Sequence, residues 1–302
     1  MEMSPQVGLV CFAYGAAQAA VRAKPGEPVA GPVLLRLLSD LGVSGPAARS
    51  LLLRMRREGW LTSQRAGRQA RYRLAPIVFA GQERVERQLR GDRPAWNGSF
   101  SGVLYVVPER YRSFRDRLRR SALLLGYVTL RPGLLVATTD RYDELASMLP
   151  ARPPGSQLLR TKLTFSADDN HRLAAELWDL DGIAALYWRA LADFDERVAA
   201  AREQPPAGAA ALRAFAAAAL PLYQAGAADP DLPADLLPAG WPAANLSAAI
   251  GRAFAVFVPL VSDYLDAYSA ASPATVVSGT DSAPPIAPAR SMRAAPRDAL
   301  TG

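Results

Sequence analysis

The stretch ARSLLLRMRREGWLTSQRAGRQARYRL, residues 48–74, decides the fold of the amino-terminal region. Its first half carries apolar residues at helical spacing, which predicts an amphipathic helix that ends at Gly59. The apolar stripe consists of Ala48, Leu51, Leu52 and Met55. After Gly59 the pattern alternates in WLTSQ and QARYRL, two short runs on either side of Gly67, and this alternation predicts a β-hairpin.

Two further helices are predicted ahead of this stretch. Residues 7–21 are apolar at helical spacing, and residues 32–41 place their leucines on one face before Gly42. Three helices followed by a hairpin form a winged helix-turn-helix, and in helix-turn-helix proteins the reading helix lies in the major groove of DNA. We therefore predict a winged-helix DNA-binding domain over residues 1–75.

Positive charge is concentrated in the same region. Residues 48–74 hold eight arginines and one acid, and residues 1–95 contain 15 Lys/Arg against 7 Asp/Glu, whereas the rest of the chain has 20 against 21. A one-sided set of cations favours a polyanionic partner such as double-stranded DNA. The predicted DNA-binding residues are Arg49, Ser50, Arg54, Arg65, Arg68, Arg71 and Arg73. A solvated basic face without a partner is the alternative.

The remainder of the chain divides into four segments. Residues 76–97 predict a connecting helix and linker, and residues 98–166 follow a β-α-β-β-α-β order that is typical of a ferredoxin-like domain. Residues 167–270 are helical in pattern and predict a helical effector or dimerisation domain. Residues 271–302 lack periodicity and predict a disordered tail. The predicted fold class is therefore α+β and multi-domain.

Three separated stretches carry a family resemblance. They are GVSGPAARSLLLRMRREGWLTSQRAGRQARYRL (42–74), VLYVVPERYRSFRDRLRRSALLLGYVTLRPGLLVATTD (103–140), and LWDL (177–180) with DPDLPADLLPAGWP (229–242). Together they resemble the PaaX family, the transcriptional regulators of phenylacetic acid degradation. Two departures from the family pattern, Ala48 and Leu53, fall in the predicted reading helix and are expected to alter operator preference.

The resemblance implies a cytoplasmic, dimeric repressor of aromatic-acid catabolic genes. Such a regulator binds a palindromic operator in double-stranded DNA and is released by an aryl-acyl-CoA thioester, for example phenylacetyl-CoA. We predict that Arg112, Arg115 and Arg119 hold the CoA phosphates, because guanidinium groups match phosphate oxygens bidentately. Trp178 and Trp241 are the candidates for the aryl group. The plainer alternatives are a solvated arginine face and core tryptophans.

Catalytic chemistry has little support in the sequence. His171 is the single histidine, which argues against a Ser-His-Asp triad and against multi-histidine metal sites. We therefore predict no catalytic residues, no metal and no cofactor. Cys11 is the single cysteine, so an intrachain disulfide is impossible and a reducing cytoplasm is expected, without a membrane partner.

Two other functions stay open. A metal-dependent nuclease built on the ferredoxin-like domain would need a carboxylate at the end of its first strand, where VLYVVPE ends with Pro108 and Glu109. A nucleic-acid binder that senses no effector would bind DNA with salt-dependent affinity and without sequence preference.

Overall fold

The computed structural model of the chain describes residues 5–21, 23–24, 26–67, 69–89, 93 and 95–271. Helices and strands are mixed, with two small antiparallel sheets and a helical carboxy-terminal region, which confirms the coarse α+β prediction. Two predictions lie outside the described residues: Arg68 and, beyond its first residue, the tail 271–302.

Within these ranges the helices are α1 (Pro5–Ala20), α2 (Gly31–Asp40), α3 (Gly45–Arg57), α4 (Pro76–Leu89), α5 (Arg112–Leu124), α6 (Tyr142–Met148), α7 (Ala167–Leu177), α8 (Leu180–Glu203), α9 (Ala209–Ala228) and α10 (Ala243–Ala271). The strands are β1 (Val29–Ala30), β2 (Leu61–Ala66), β3 (Gln69–Leu74), β4 (Ser99–Val106), β5 (Val128–Arg131), β6 (Leu134–Ala137) and β7 (Gln157–Thr164). The chain forms two compact units. Within the described ranges, the first combines the residues that lie in 5–74, 191–224 and 248–271, and the second combines those in 75–190 and 225–247.

In the first unit α1, α2 and α3 pack against one another. Proline in the first turn of α2 and of α3 costs no hydrogen bond, because the first amides of a helix have no intrahelical partner. Gly42 and Gly59 follow these helices with φ angles of 89° and 80°, the left-handed conformation that glycine adopts without strain. All four residues of the predicted stripe of α3 are buried.

The first sheet contains the predicted hairpin, β2 and β3, and one additional strand. Its order is β1-β3-β2, with Val29 opposite Tyr72. Two residues are too few to show alternation, so the sequence pattern does not predict β1. Gly31 directly follows β1 and lies close to β3, since a Cβ on it would be 3.0 Å from the carbonyl oxygen of Ala70 and 3.1 Å from the ring of Tyr72.

The second unit contains a four-stranded antiparallel sheet in the order β5-β6-β4-β7. The central strand β4 pairs with β7 along all eight of its residues. Gly102 permits this close pairing, because a Cβ on it would lie 2.6 Å from Cγ2 of Thr161. Phe100 and Val136 of this sheet join a buried apolar cluster with Trp178.

The helical pattern predicted after residue 166 is interrupted between α7 and α8. α7 ends at Leu177, and Trp178 is extended, with ψ of 126°, before α8 begins. Trp178 packs into the apolar cluster, its ring centroid 6.4 Å from that of Phe100. Asp179 then accepts a hydrogen bond from the amide of Gly182 at 3.0 Å and caps α8. Burial of the tryptophan and this cap together explain the break.

One described helical segment, Ala243–Ala267 within α10, is long and apolar enough to cross a membrane by length and composition. The core helix of a soluble protein passes the same test, and 39% of the apolar window is buried.

Candidate nucleic-acid interface

The outward surface of α3 is basic. Arg49, Ser50, Arg54, Arg56 and Arg57 are exposed around the helix, away from its buried stripe. Within the described part of the chain, Arg49 and Arg56 have no hydrogen-bond or ion-pair partner. Their guanidinium groups are therefore available to phosphate oxygens. Arg56 and Arg57 are not among the predicted DNA-binding residues, although their position on a basic helix is a signal for them.

Arg54 and Arg65 differ in how strongly the protein itself engages them. Nη2 of Arg54 donates a hydrogen bond to Oε1 of Gln6 in α1 at 2.8 Å, so this side chain already has an internal partner. Arg65 is exposed on β2, opposite Ala70 of β3 and next to the hairpin turn, without a partner in the described ranges. Arg65 is thus the freer cation of the two.

Arg71 and Arg73 contact the loop that precedes β1. Nη2 of Arg71, which is half-buried, donates to the carbonyl oxygen of Pro28 at 3.1 Å. Nε of Arg73 donates to the carbonyl oxygen of Gly26 at 2.7 Å. Both arginines therefore fasten the hairpin to this loop.

The three predicted phosphate-binding arginines share one stripe of α5, because spacings of three and four residues return to the same helix face. Arg115 donates to both carboxylate oxygens of Glu109, at 2.7 and 3.3 Å, and this hydrogen bonding lowers the pKa of Glu109. Arg112 lies 3.8 Å from Asp116. Arg119 is exposed and has no partner among the residues that the structure describes.

The two predicted aryl-binding tryptophans belong to the same apolar cluster. Trp178 is 5% exposed and lies inside that cluster, whereas Trp241 is half-buried at its edge. The ring of Trp241 lies 5.8 Å from that of Tyr187, and its Nε1 donates a hydrogen bond to Oδ2 of Asp229 at 2.8 Å. The indole of Trp241 is therefore already oriented by the protein.

A buried ionic cluster, which the sequence pattern does not predict, surrounds Asp229 in the second unit. Oδ2 of Asp229 accepts hydrogen bonds from Nη2 of Arg93 at 2.7 Å, from the hydroxyl of Tyr187 at 2.7 Å and from Trp241. Oδ1 accepts a bond from the amide of Asp231 at 2.8 Å. A fully buried carboxylate thus has both oxygens satisfied. The DPDLPADLLPAGWP segment, which contains Asp229 and Trp241, is the sequence signal that points to it.

Two arginines of α4 bind the same loop. Arg84 is 4% exposed and donates to the backbone carbonyls of Asp229 and Ala227. Nη2 of Arg87 lies 3.1 Å from Oδ2 of Asp231. Asp231 has a φ of 59°, a left-handed conformation that costs a non-glycine residue free energy. The arginines of α4 hold the loop in this strained turn.

The pKa values of the two acids in the cluster are shifted in opposite directions. Burial alone would raise the pKa of Asp229, but the hydrogen bonds from Arg93, Tyr187 and Trp241 and the charge of Arg93 outweigh burial and lower it. Burial raises the pKa of Asp231, against the opposing charges of Arg84 and Arg87. Burial also raises the pKa of Tyr187, and the nearby charge of Asp229 adds to the effect. Tyr187 therefore stays a neutral hydrogen-bond donor.

His171 contacts two backbone carbonyl oxygens. Its Nδ1 lies 2.9 Å from the carbonyl oxygen of Ala167, and its Nε2 lies 2.9 Å from that of Asp235. Only the doubly protonated ring donates to both oxygens, so these bonds raise the pKa of His171. Within the described ranges no three His, Cys, Asp or Glu side chains are grouped to hold a metal ion.

Comparison with known families covers most of the chain. Residues 12–77 match the family described as PaaX-like protein, residues 93–165 match the PaaX protein central Cas2-like domain, and residues 178–267 match the PaaX-like protein C-terminal domain. The three matches succeed one another along the chain without overlap. This chain belongs to the PaaX family.

Individual relatives are distant. The transcriptional repressor PaaX of Escherichia coli (strain K12) is 26% identical over 220 residues, which cover 69% of this chain and 67% of the relative. A solved structure, the uncharacterized protein Rv0674 from Mycobacterium tuberculosis, is 24% identical, covers 85% of this chain and 98% of its own, and superposes with a TM-score of 0.45.

Proposed function

We propose that this protein is a DNA-binding repressor of aromatic-acid catabolic genes, released from its operator by an aryl-acyl-CoA thioester such as phenylacetyl-CoA. The observation that carries the DNA-binding proposal is the exposure of Arg49 on α3 and Arg65 on the hairpin, without internal partners in the described residues. In a winged helix these two elements face the duplex. Membership of a family with a relative named as a transcriptional repressor supports the same function.

The order of the elements supports the proposed domain organisation. Three helices and a hairpin support a winged helix-turn-helix over residues 1–75. The strand order β5-β6-β4-β7 supports a ferredoxin-like domain over residues 98–166. Residues 76–97 would connect the two, and residues 167–270 would bind the effector and form a homodimer. A cytoplasmic dimer suits a palindromic operator, because the two-fold axis of the protein then matches that of the DNA.

The predicted DNA-binding residues have two proposed roles. Arg49, Ser50, Arg54, Arg65 and Arg68 would contact the duplex. Arg71 and Arg73 would act mainly by positioning the hairpin, since each already donates to a backbone carbonyl.

The effector site is proposed at α5 and the apolar cluster. Arg112 and Arg119 have exposed side chains on one stripe of α5, which supports their role in binding CoA phosphates, with Arg115 held beside them by Glu109. The aryl group would lie against Trp241, with Trp178 behind it in the apolar cluster.

A mobility-shift titration tests both halves of the proposal. The full-length protein is titrated onto DNA from upstream of its own gene at moderate salt, with a non-specific duplex as competitor and with a panel of acyl-CoA thioesters. We expect a specific shift that an aryl-acyl-CoA reverses and that free CoA leaves intact. Without a specific shift the repressor proposal fails, and without release by any thioester the sensing proposal fails.

A metal-dependent nuclease is the second candidate, and the match of residues 93–165 to a Cas2-like domain is the observation that favours it. The acid that follows β4 is Glu109, which is already bonded to Arg115. Incubation of DNA with the protein and magnesium or manganese tests this candidate, because strand cleavage that EDTA abolishes would establish it.

A further inference from the structure

Leu53 is a feature of α3 that the proposed arginine contacts do not use. Among the described residues it is the one exposed large hydrophobic side chain of the first unit, with 44% of its surface accessible. It lies three residues after Ser50 and four before Arg57, on the side of α3 opposite the buried stripe. The helix therefore presents an apolar side chain at the centre of its outward face.

The charges around Leu53 indicate what covers it. Arg49, Arg54 and Arg56 flank it on α3, which contains no acid, and Arg65 is exposed on the adjoining hairpin. A purely apolar partner would have to remove these cations from water without compensation. A DNA duplex instead offers phosphates along both edges of its major groove and an apolar group on the floor of that groove. Charge complementarity therefore favours DNA as the occupant.

We propose that Leu53 contacts the C5 methyl group of a pyrimidine in the major groove and thereby makes one position in each operator half-site depend on that methyl group. This inference rests on the proposed function. The C5 methyl group of thymine is the apolar feature by which the major groove distinguishes base pairs, and 5-methylcytosine displays the same group. The neighbouring exposed residues Pro46 and Ser50 are small, so α3 can approach the base edges closely at this point.

The experiment begins with a sequence that the full-length protein selects from a randomised duplex library. Each thymine of that sequence is then replaced by deoxyuridine, which removes only the methyl group. We expect wild-type affinity to fall about fourfold at one position in each half-site, the loss that one buried methyl contact predicts. At that position Leu53→Ala should bind thymine and uracil equally, whereas Leu53→Met should keep the preference.

Two further measurements test whether the effect depends on Leu53 and on the methyl group. Leu159→Ala removes an exposed leucine of the second unit and is the matched control, so it should retain the wild-type response to the methyl group. At the sensitive position, 5-methylcytosine should bind the wild type more tightly than cytosine, which assigns the effect to the methyl group and not to the carbonyl oxygen of thymine.

The outcomes separate the two proposals. If a selected sequence binds tightly but no position responds to loss of the methyl group, the role of Leu53 is wrong and the proposed DNA binding stands. The same holds if the response persists in Leu53→Ala. If no sequence is enriched from the library, both the proposed function and this inference are overturned.

Discussion

The carboxylate of Asp229 and the guanidinium of Arg93 form a buried ion pair across 136 residues of sequence, with Oδ2 and Nη2 2.7 Å apart. The pair joins the segment after α4 to the loop after α9. Tyr187 and Trp241 donate to the same oxygen of Asp229. Removal of one partner would leave the other charge buried without compensation and would lower the stability of the folded chain.

The first prediction concerns this ion pair. Arg93→Ala should lower the free energy of unfolding of the second unit by about 3–5 kcal/mol, the cost of stranding a buried charge. Urea unfolding followed by tryptophan fluorescence measures it. Asp195→Ala breaks the Arg252–Asp195 pair, whose side chains are 46% and 66% exposed, and should cost about 0–1 kcal/mol. Equal losses in the two variants would contradict the structural role of Arg93.

The second prediction concerns acid unfolding. Because the pKa of Asp229 is lowered in the folded chain, its carboxylate contributes stability above the ordinary value of 3.8 and loses it as the pH falls through the folded value. The difference in unfolding free energy between wild type and Asp229→Asn should therefore shrink below pH 3.8. Asp231→Asn should show the opposite trend, since burial raises the pKa of Asp231. Urea titrations across the acid range decide this, and a pH-independent difference would refute it.

The third prediction concerns His171 near neutral pH. Its pKa is raised above 6.5 in the folded chain, so its contribution to stability is complete below 6.5 and is lost as the pH rises through the folded value. The difference in Tm between wild type and His171→Ala should thus be largest in mild acid and decline toward alkaline pH. Arg172→Ala alters the same helix without a group that titrates in this range, and its Tm difference should stay constant.

The fourth prediction concerns the hairpin cation Arg65. If Arg65 contacts a phosphate, Arg65→Ala should weaken binding to all DNA sequences similarly and reduce the slope of log affinity against log salt by about one. Fluorescence anisotropy at several salt concentrations provides the slope. Arg152→Ala removes an exposed arginine of the second unit and serves as the control. An unchanged slope in Arg65→Ala would exclude the phosphate contact.

The fifth prediction concerns Arg71. Its hydrogen bond to the carbonyl of Pro28 is half-buried, so Arg71→Ala should destabilise the β1–β3 pairing by about 1.5–3 kcal/mol. Hydrogen exchange of the amides in β1 and β3 should become faster. The more exposed Arg73→Ala should have a smaller effect. If Arg71→Ala leaves exchange unchanged but lowers the salt slope of DNA binding, Arg71 contacts phosphate instead.

Local sequence pattern was sufficient to predict those elements that are formed by residues close to one another along the chain. The stripe of α3, the glycines that follow α2 and α3, and the alternation of β2 and β3 follow from periods of 3.6 and 2 residues. The pattern failed at β1, which is too short, and at Trp178, where burial in a distant apolar cluster interrupts a helical period.

The sequence by itself determined a basic helix and hairpin, a mixed α+β chain and the family to which it belongs, because these depend on local spacing and on motifs. Only the tertiary structure decided which arginines are free and which are engaged. In the folded chain Arg71 and Arg73 donate hydrogen bonds to backbone carbonyls, whereas Arg49 is exposed. Asp229 lies at the centre of a buried ionic cluster. The partner of a charged side chain lies in a segment far away along the chain. Periodicity describes only residues close in sequence, so it does not indicate which distant segments come into contact.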